Sequence, residues 1–230
     1  LTLPGKKLLI DYDNRAQALA GEPDVKILRC WATDPKSPEP WRRAETIRRE
    51  LAAAVRVGEL PYTVVIEDGL SSMNRICMYW SLLLDSKRGL GGSPAKQHYG
   101  PHIKNLADHI LTMLALPVHY VLTGHFNVTE DESTGETHMF PKVYGKQQKT
   151  EIPTWFDECY LSYKRQNDKT HEDEYYWHTS GFGRYDFMKS SLNKRGDFWK
   201  NPVRIDLNKP PVGFEKLLDL RFGKKEGKDE

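Results

Sequence analysis

The sequence is poor in the features that mark several protein classes. It holds only three cysteines, Cys30, Cys77 and Cys159. They are odd in number, widely spaced and set in apolar segments. That argues against a disulfide frame or a cysteine zinc site and predicts reduced core thiols in a cytosolic protein. No apolar run approaches the ~20 residues needed to cross a bilayer, and no signal-peptide pattern is visible. Charge of one sign is also lacking: 34 Lys+Arg against 32 Asp+Glu give a formal net charge of +2. Any surface for a polyanion therefore has to be a local patch. The pair His98 and His102 has no cysteine or carboxylate cluster at ligand spacing, so it does not point to a metal. What remains is 230 residues, 38% hydrophobic and 29% charged, enough for one large α/β domain or two small ones.

The most informative stretch is Tyr62-Thr63-Val64-Val65-Ile66-Glu67-Asp68-Gly69. Its β-branched run suits a strand buried on both faces of a parallel sheet. A buried strand does not end in two carboxylates without partners or water. At the C-terminal edge of such a sheet a carboxylate can hold hydrated Mg²⁺ beside a phosphate, as in P-loop ATPases. The same residues also fit a plain strand followed by a polar turn.

Around this stretch the chain alternates between strand and helix signals. Lys7–Ile10 and Val25–Arg29 read as strands, and Trp41–Val57 as a helix stopped by Gly58. Leu70–Leu84 reads as an amphipathic helix, Asp85–Gly100 as a loop, His102–Leu116 as a helix and Val118–Leu122 as a buried strand. Such alternation predicts βαβ units and a mostly parallel sheet. Beyond His125 the pattern changes. Met139–Lys149 reads as a hairpin arm. Asp157–Lys164 and Glu174–Thr179 read as strands that extend the sheet in antiparallel fashion. Phe214–Leu220 reads as a last helix before a disordered tail.

Three strands end in polar residues able to share one crevice: Asp11 and Asp13, Glu67 and Asp68, Thr123 and His125. Phosphate hydrolysis needs a metal carboxylate, a group that orients water and a group that senses the γ-phosphate. Asp68, Asp13 and His125 fit those roles in that order. Each also fits a bland alternative, such as an Asx turn at Asp13 or a hydrogen-bonded loop histidine at His125.

The endings Leu9-Ile10-Asp11-Tyr12-Asp13, Val64-Val65-Ile66-Glu67-Asp68 and Val121-Leu122-Thr123-Gly124-His125 resemble those of the RecA-like ATPase core. Further matches are Leu116-Pro117-Val118-His119, the turn from Asp131 to Gly135 and the segment from Pro141 to Lys146. The segments from Ile152 to Glu158 and from Ser191 to Gly196 match as well. Together they are similar to phage-type AAA/RecA-like nucleotide-binding proteins, which include phage single-strand-annealing ATPases. The resemblance implies an α/β P-loop NTPase core over residues 1–200 and a C-terminal extension and tail over 201–230. It implies ATP with Mg²⁺ bound between subunits of a ring or filament. Asp13 would activate water, Asp68 would hold Mg²⁺ through water with help from Glu67, and Thr123 would contact the nucleotide. His125 would sense the γ-phosphate. Lys146 and Arg195 would reach the nucleotide of the neighbouring subunit. The family's G-x-x-x-x-G-K-[ST] loop is not in the sequence. The expectation is that it lies upstream of Leu1, the alternative that hydrolysis has been lost.

The resemblance also implies two loops facing single-stranded DNA. Asp85–Gly100 carries Lys87, Arg88 and Lys96, and Phe126–Lys149 carries Lys142, Lys146 and Lys149 with Phe140 and Tyr144. Basic loops with aromatic rings suit a single strand. Exposed loops of average lysine content fit too, and Glu130, Asp131, Glu132 and Glu136 would repel phosphate unless turned away. The expected protein is an ATP-dependent single-stranded-DNA-binding ATPase for phage-type recombination or annealing, in the host cytoplasm if phage-encoded. A single-strand-binding protein is a further expected partner. The alternatives are a non-hydrolysing assembly module and a DNA motor on the same core.

Overall fold

The computed structural model describes residues 2–34, 36–85, 92–130, 134–181 and 183–223. Lys87, Arg88, Asp131 and the tail from residue 224 lie outside the described residues. The chain forms two compact units. One comprises Pro4–Asn127 and Pro141–Ile152, the other Leu1–Leu3, Val128–Phe140 and Pro153–Glu230.

The first unit holds the strands β1 (Lys7–Asp11), β2 (Val25–Arg29), β3 (Val64–Asp68) and β4 (His119–Thr123). They form one all-parallel sheet in the order β2-β1-β3-β4. Every residue of β1 is buried, as are the first four of β3. That is the pattern of central strands covered on both faces. The register aligns the last residues of the four strands as Arg29, Asp11, Asp68 and Thr123. Three strand ends that are distant in sequence thus share one edge.

Helices α1 (Glu39–Arg56), α2 (Leu70–Leu82) and α3 (Lys96–Leu114) flank the sheet. Trp41, Ala44, Ile47 and Leu51 form the buried stripe of α1, at the expected helical spacing. Helix α3 begins six residues before the expected His102 and runs through Gly100 and Pro101. Burial decides this: His98, His102 and His109 all lie in the interior. In addition, His98 Nδ1 accepts the Ala95 N–H at 2.8 Å and caps the first turn. A short helix, α4 (Lys146–Glu151), follows Gly145, whose φ of 81° lies in the left-handed region. The expected hairpin arm over Met139–Lys149 is therefore strand only to Pro141. Its strand, β6 (Thr137–Pro141), pairs with β5 (Phe126–Glu130).

In the second unit β7 (Glu158–Cys159) pairs with β10 (Lys189–Ser190). The strands β8 (Leu161–Gln166), β9 (Asp173–His178) and β11 (Val203–Ile205) form an antiparallel sheet in the order β11-β9-β8. The expectation that these segments extend the parallel sheet is corrected here. Both edges of β9 are taken by β8 and β11. The sheet also has its own core, where Val203 and Ile205 pack with Trp199 and with Leu217 of α5 (Gly213–Phe222). Among the described residues no helix is long and apolar enough to cross a membrane.

His102 gives this fold an acid limb. It is fully buried, its Nε2 lies 3.1 Å from the Asn74 carbonyl, and its Nδ1 has no partner among the described residues. Burial pushes its pKa down from 6.5 to about 4, against a smaller upward pull from the Asn74 carbonyl. The folded state keeps it neutral while the unfolded chain takes up a proton below pH 6.5. Its stabilisation is therefore complete above pH 6.5 and is lost as pH falls toward 4, by about 3 kcal/mol in all. Urea unfolding at several pH values should show the stability gap between wild type and His102→Gln narrowing over that window. A gap independent of pH would contradict it.

Candidate functional site

The C-terminal edge of the parallel sheet gathers the chemistry. Asp11 ends β1 almost fully buried. Its carboxylate accepts the backbone N–H groups of Asp13 at 2.9 Å, Arg15 at 3.3 Å and Ala16 at 3.1 Å. It is thus committed to shaping the turn, and Asp13 is left half-buried at the tip. The Tyr12 N–H donates to the Asp68 carbonyl at 3.0 Å, which carries the β1–β3 pairing one residue past the strand end. This bond brings Asp13 to the head of α2.

Gly69 separates β3 from α2 with φ 111°. A methyl group there would lie 2.9 Å from Asp13 Oδ2. Glycine is required twice over, by the left-handed backbone and by the approach of the carboxylate. Asp13 thus sits at the N-terminus of a 13-residue helix, where the backbone dipole favours negative charge. The Thr123 hydroxyl donates to Asp68 Oδ1 at 2.5 Å and accepts the Gly69 N–H at 3.2 Å. Asp68 Oδ2 takes no hydrogen bond among the described residues. Asp13, Asp68 and Thr123 therefore surround one turn, with hard oxygen atoms at its surface. These atoms suit hydrated Mg²⁺, which is held by one or two carboxylates and keeps several waters.

Glu67 does not join them. Side chains on a strand alternate between faces, so neighbours in sequence point oppositely. Glu67 turns inward and has no exposed surface. Its Oε1 accepts the Tyr12 hydroxyl at 2.6 Å and His109 Nε2 at 2.7 Å, and its Oε2 accepts the Tyr120 hydroxyl. Burial alone would push the Glu67 carboxyl up. The charge of His109 and the hydrogen bonds from His109, Tyr12 and Tyr120 outweigh it and hold the carboxyl below its usual range. Burial, then the adjacent Glu67 charge, push both tyrosines well up, so they stay protonated as donors. The expected help from Glu67 at a metal gives way to a structural role, because its oxygens are already taken.

His125 stands two residues beyond β4 with its side chain exposed. Among the described residues its ring makes no hydrogen bond or ion pair; its carbonyl accepts the Lys142 N–H at 2.9 Å. Lys142 and Lys146 are exposed and Lys149 is half-buried, all in the same unit as the strand ends. Lys96 opens α3, 13 residues before His109. At about 1.5 Å of rise per residue that places it roughly 20 Å along the helix from the Glu67 level. Arg195 is exposed in the other unit. The sequence reading missed Tyr12, Tyr120 and His109 as partners of Glu67. The available signal was His109 itself, a polar residue on the apolar face of α3 beside Leu106, Ile110 and Met113.

An all-parallel four-stranded sheet flanked by helices, with antiparallel strands following and acidic and hydroxyl groups at the strand ends, defines an α/β protein with a P-loop NTPase type of core. A family model for an AAA domain matches residues 1–184, and the chain belongs to that family of nucleotide-hydrolysing P-loop ATPases. No curated protein matches the chain.

Replacing Glu67 by Leu would take the shared acceptor from the buried Tyr12 and His109 and from Tyr120. The expected loss is about 3–5 kcal/mol, the scale for breaking a buried charged cluster. Urea unfolding measures it. A loss below about 1 kcal/mol would show that the cluster does not hold the strand ends.

Proposed function

We propose that this protein is an ATP-dependent, single-stranded-DNA-binding ATPase of the phage-type RecA-like kind, acting in recombination or strand annealing. The observation that carries the proposal is the convergence of Asp13, Asp68 and Thr123 around the β3–α2 turn. Asp13 is the group that orients and deprotonates the attacking water, because its carboxylate stands at the crevice while Asp11 is consumed by the turn. Asp68 and Thr123 are the residues that would hold hydrated Mg²⁺, leaving Glu67 to fix their backbone. Bound Mg²⁺ would supply neutralisation of the charge on the phosphate oxygens. His125 stands two residues beyond β4 and is the candidate γ-phosphate sensor. Lys146 and Arg195, both exposed, are the candidates for reaching a neighbouring subunit's nucleotide in a ring or filament.

The bond between the Lys142 N–H and the His125 carbonyl supports a link from this edge to DNA, since the segment with Lys142, Lys146 and Lys149 starts there. Lys96, some way out along α3, fits a contact with the DNA backbone and not with the nucleotide. A single-strand-binding protein is a further partner to test.

Residues 1–230 contain no G-x-x-x-x-G-K-[ST] segment, so turnover itself is the first test. ATP turnover is measured with and without single-stranded DNA. Asp13→Asn should lower kcat by 10²–10⁴-fold, the usual worth of a general base, with nucleotide affinity little changed. Asp68→Asn should weaken Mg²⁺-dependent nucleotide binding. Wild-type turnover in both variants would overturn the site. Nucleotide binding without any turnover in the wild type would instead favour the non-hydrolysing assembly module.

A further inference from the structure

The sheet β11-β9-β8 has one face on its own core and one turned to solvent. In β11, Val203 and Ile205 are buried while Arg204 between them is exposed. The register sets Arg204 opposite Tyr176 and Tyr176 opposite Tyr163. These three side chains therefore form a row on the face opposite that core, with Arg204 exposed and Tyr163 and Tyr176 half-buried. The next row pairs Arg165 with Glu174, and the row on the other side pairs Leu161 with His178.

We propose that this face is a second contact surface for single-stranded nucleic acid, with rings that stack on bases and arginines that meet the phosphates. The Tyr163 and Tyr176 rings are parallel to within 19°, with centroids 5.6 Å apart. The Arg165 guanidinium lies 5.9 Å from the Tyr176 ring centroid. Beside this row the His178 and Tyr185 rings are 4.5 Å apart, and the Arg184 guanidinium is 5.2 Å from the Tyr185 ring. Aromatic rings interleaved with arginine on a sheet surface supply both things a single strand needs, a stacking surface for any base and a positive track for the backbone.

The charge balance on the face supports the same ligand. Its acid, Glu174, is only 8% exposed. The Tyr176 hydroxyl at 2.6 Å, the Asn167 amide at 2.9 Å and Arg204 at 3.1 Å all engage it. Asp186 nearby in sequence is taken by His138 at 2.8 Å. Among the described residues neither Arg165 nor Arg184 is held in a close ion pair, although Arg165 stands opposite Glu174 and its charge helps hold that carboxyl down. With a whole-chain charge of only +2, this is a local patch and not a general basicity. Its residues are other than Lys96, Lys142 and Lys149, which belong to the other unit. The inference rests on the single-strand role proposed above only for the identity of the ligand.

The test is fluorescence anisotropy of a labelled oligo-dT strand titrated with the full-length protein at several salt concentrations. Tyr163→Ala combined with Tyr176→Ala should weaken binding at least tenfold, from the loss of two stacking rings. Tyr176→Phe, which keeps the ring and drops the hydroxyl that holds Glu174, should retain affinity. Arg165→Ala should reduce the slope of log K against log salt by about 0.7, one phosphate contact on a single strand. Should the double variant lose its fold by circular dichroism, Arg165→Ala and Tyr163→Ala alone decide the matter. Wild-type binding that none of these variants alters, and that Lys142→Ala and Lys149→Ala abolish, would overturn this surface while leaving the single-strand role standing. No binding by the wild type would overturn both.

Discussion

The strand-end site depends on one buried carboxylate. Glu67 lies beneath the C-terminal edge of the parallel sheet with its oxygens shared among Tyr12, Tyr120 and His109. An ionised carboxylate without partners would cost far more than the whole stability of a domain. Here the donors come from the residue that follows β1, from β4 and from α3, the pieces that must stay in register for the edge to exist. Tyr12 precedes Asp13, and Glu67 precedes Asp68. The inward hydrogen bonds therefore fix the backbone that turns the outward carboxylates toward solvent. The cost of burying a charge becomes the constraint that aligns three distant pieces of chain.

Much of this edge was legible in the residues. The runs Leu8-Leu9-Ile10 and Val64-Val65-Ile66 announced buried parallel strands, and the polar residues that end them announced the edge. Asp13, Asp68 and Thr123 follow from that logic alone. The inward course of Glu67 was also written in the strand. Adjacent residues on a strand face opposite sides, so Glu67 and Asp68 had no common site to serve. The start of α3 was hidden because Gly100-Pro101 looks like a loop. Three buried histidines override that local preference, and burial is a property of the tertiary structure. The second sheet was hidden for a related reason. Pairing of Tyr176 with Arg204 joins residues far apart in sequence, and nothing in either strand specifies the partner.

The two compact units divide the chemistry. The first holds the carboxylates, the hydroxyl and the lysines adjoining β4. The second holds the arginine and tyrosine face. The two surfaces are separately addressable by mutation.

The most direct test of the convergence at the strand ends is a crystal structure of the full-length protein with Mn²⁺ and a non-hydrolysable ATP analogue, read by anomalous scattering. The account predicts a manganese peak one water molecule away from Asp68 and Thr123, with the terminal phosphate facing Asp13. Manganese and nucleotide bound elsewhere, with Asp13 and Asp68 left free, would contradict it.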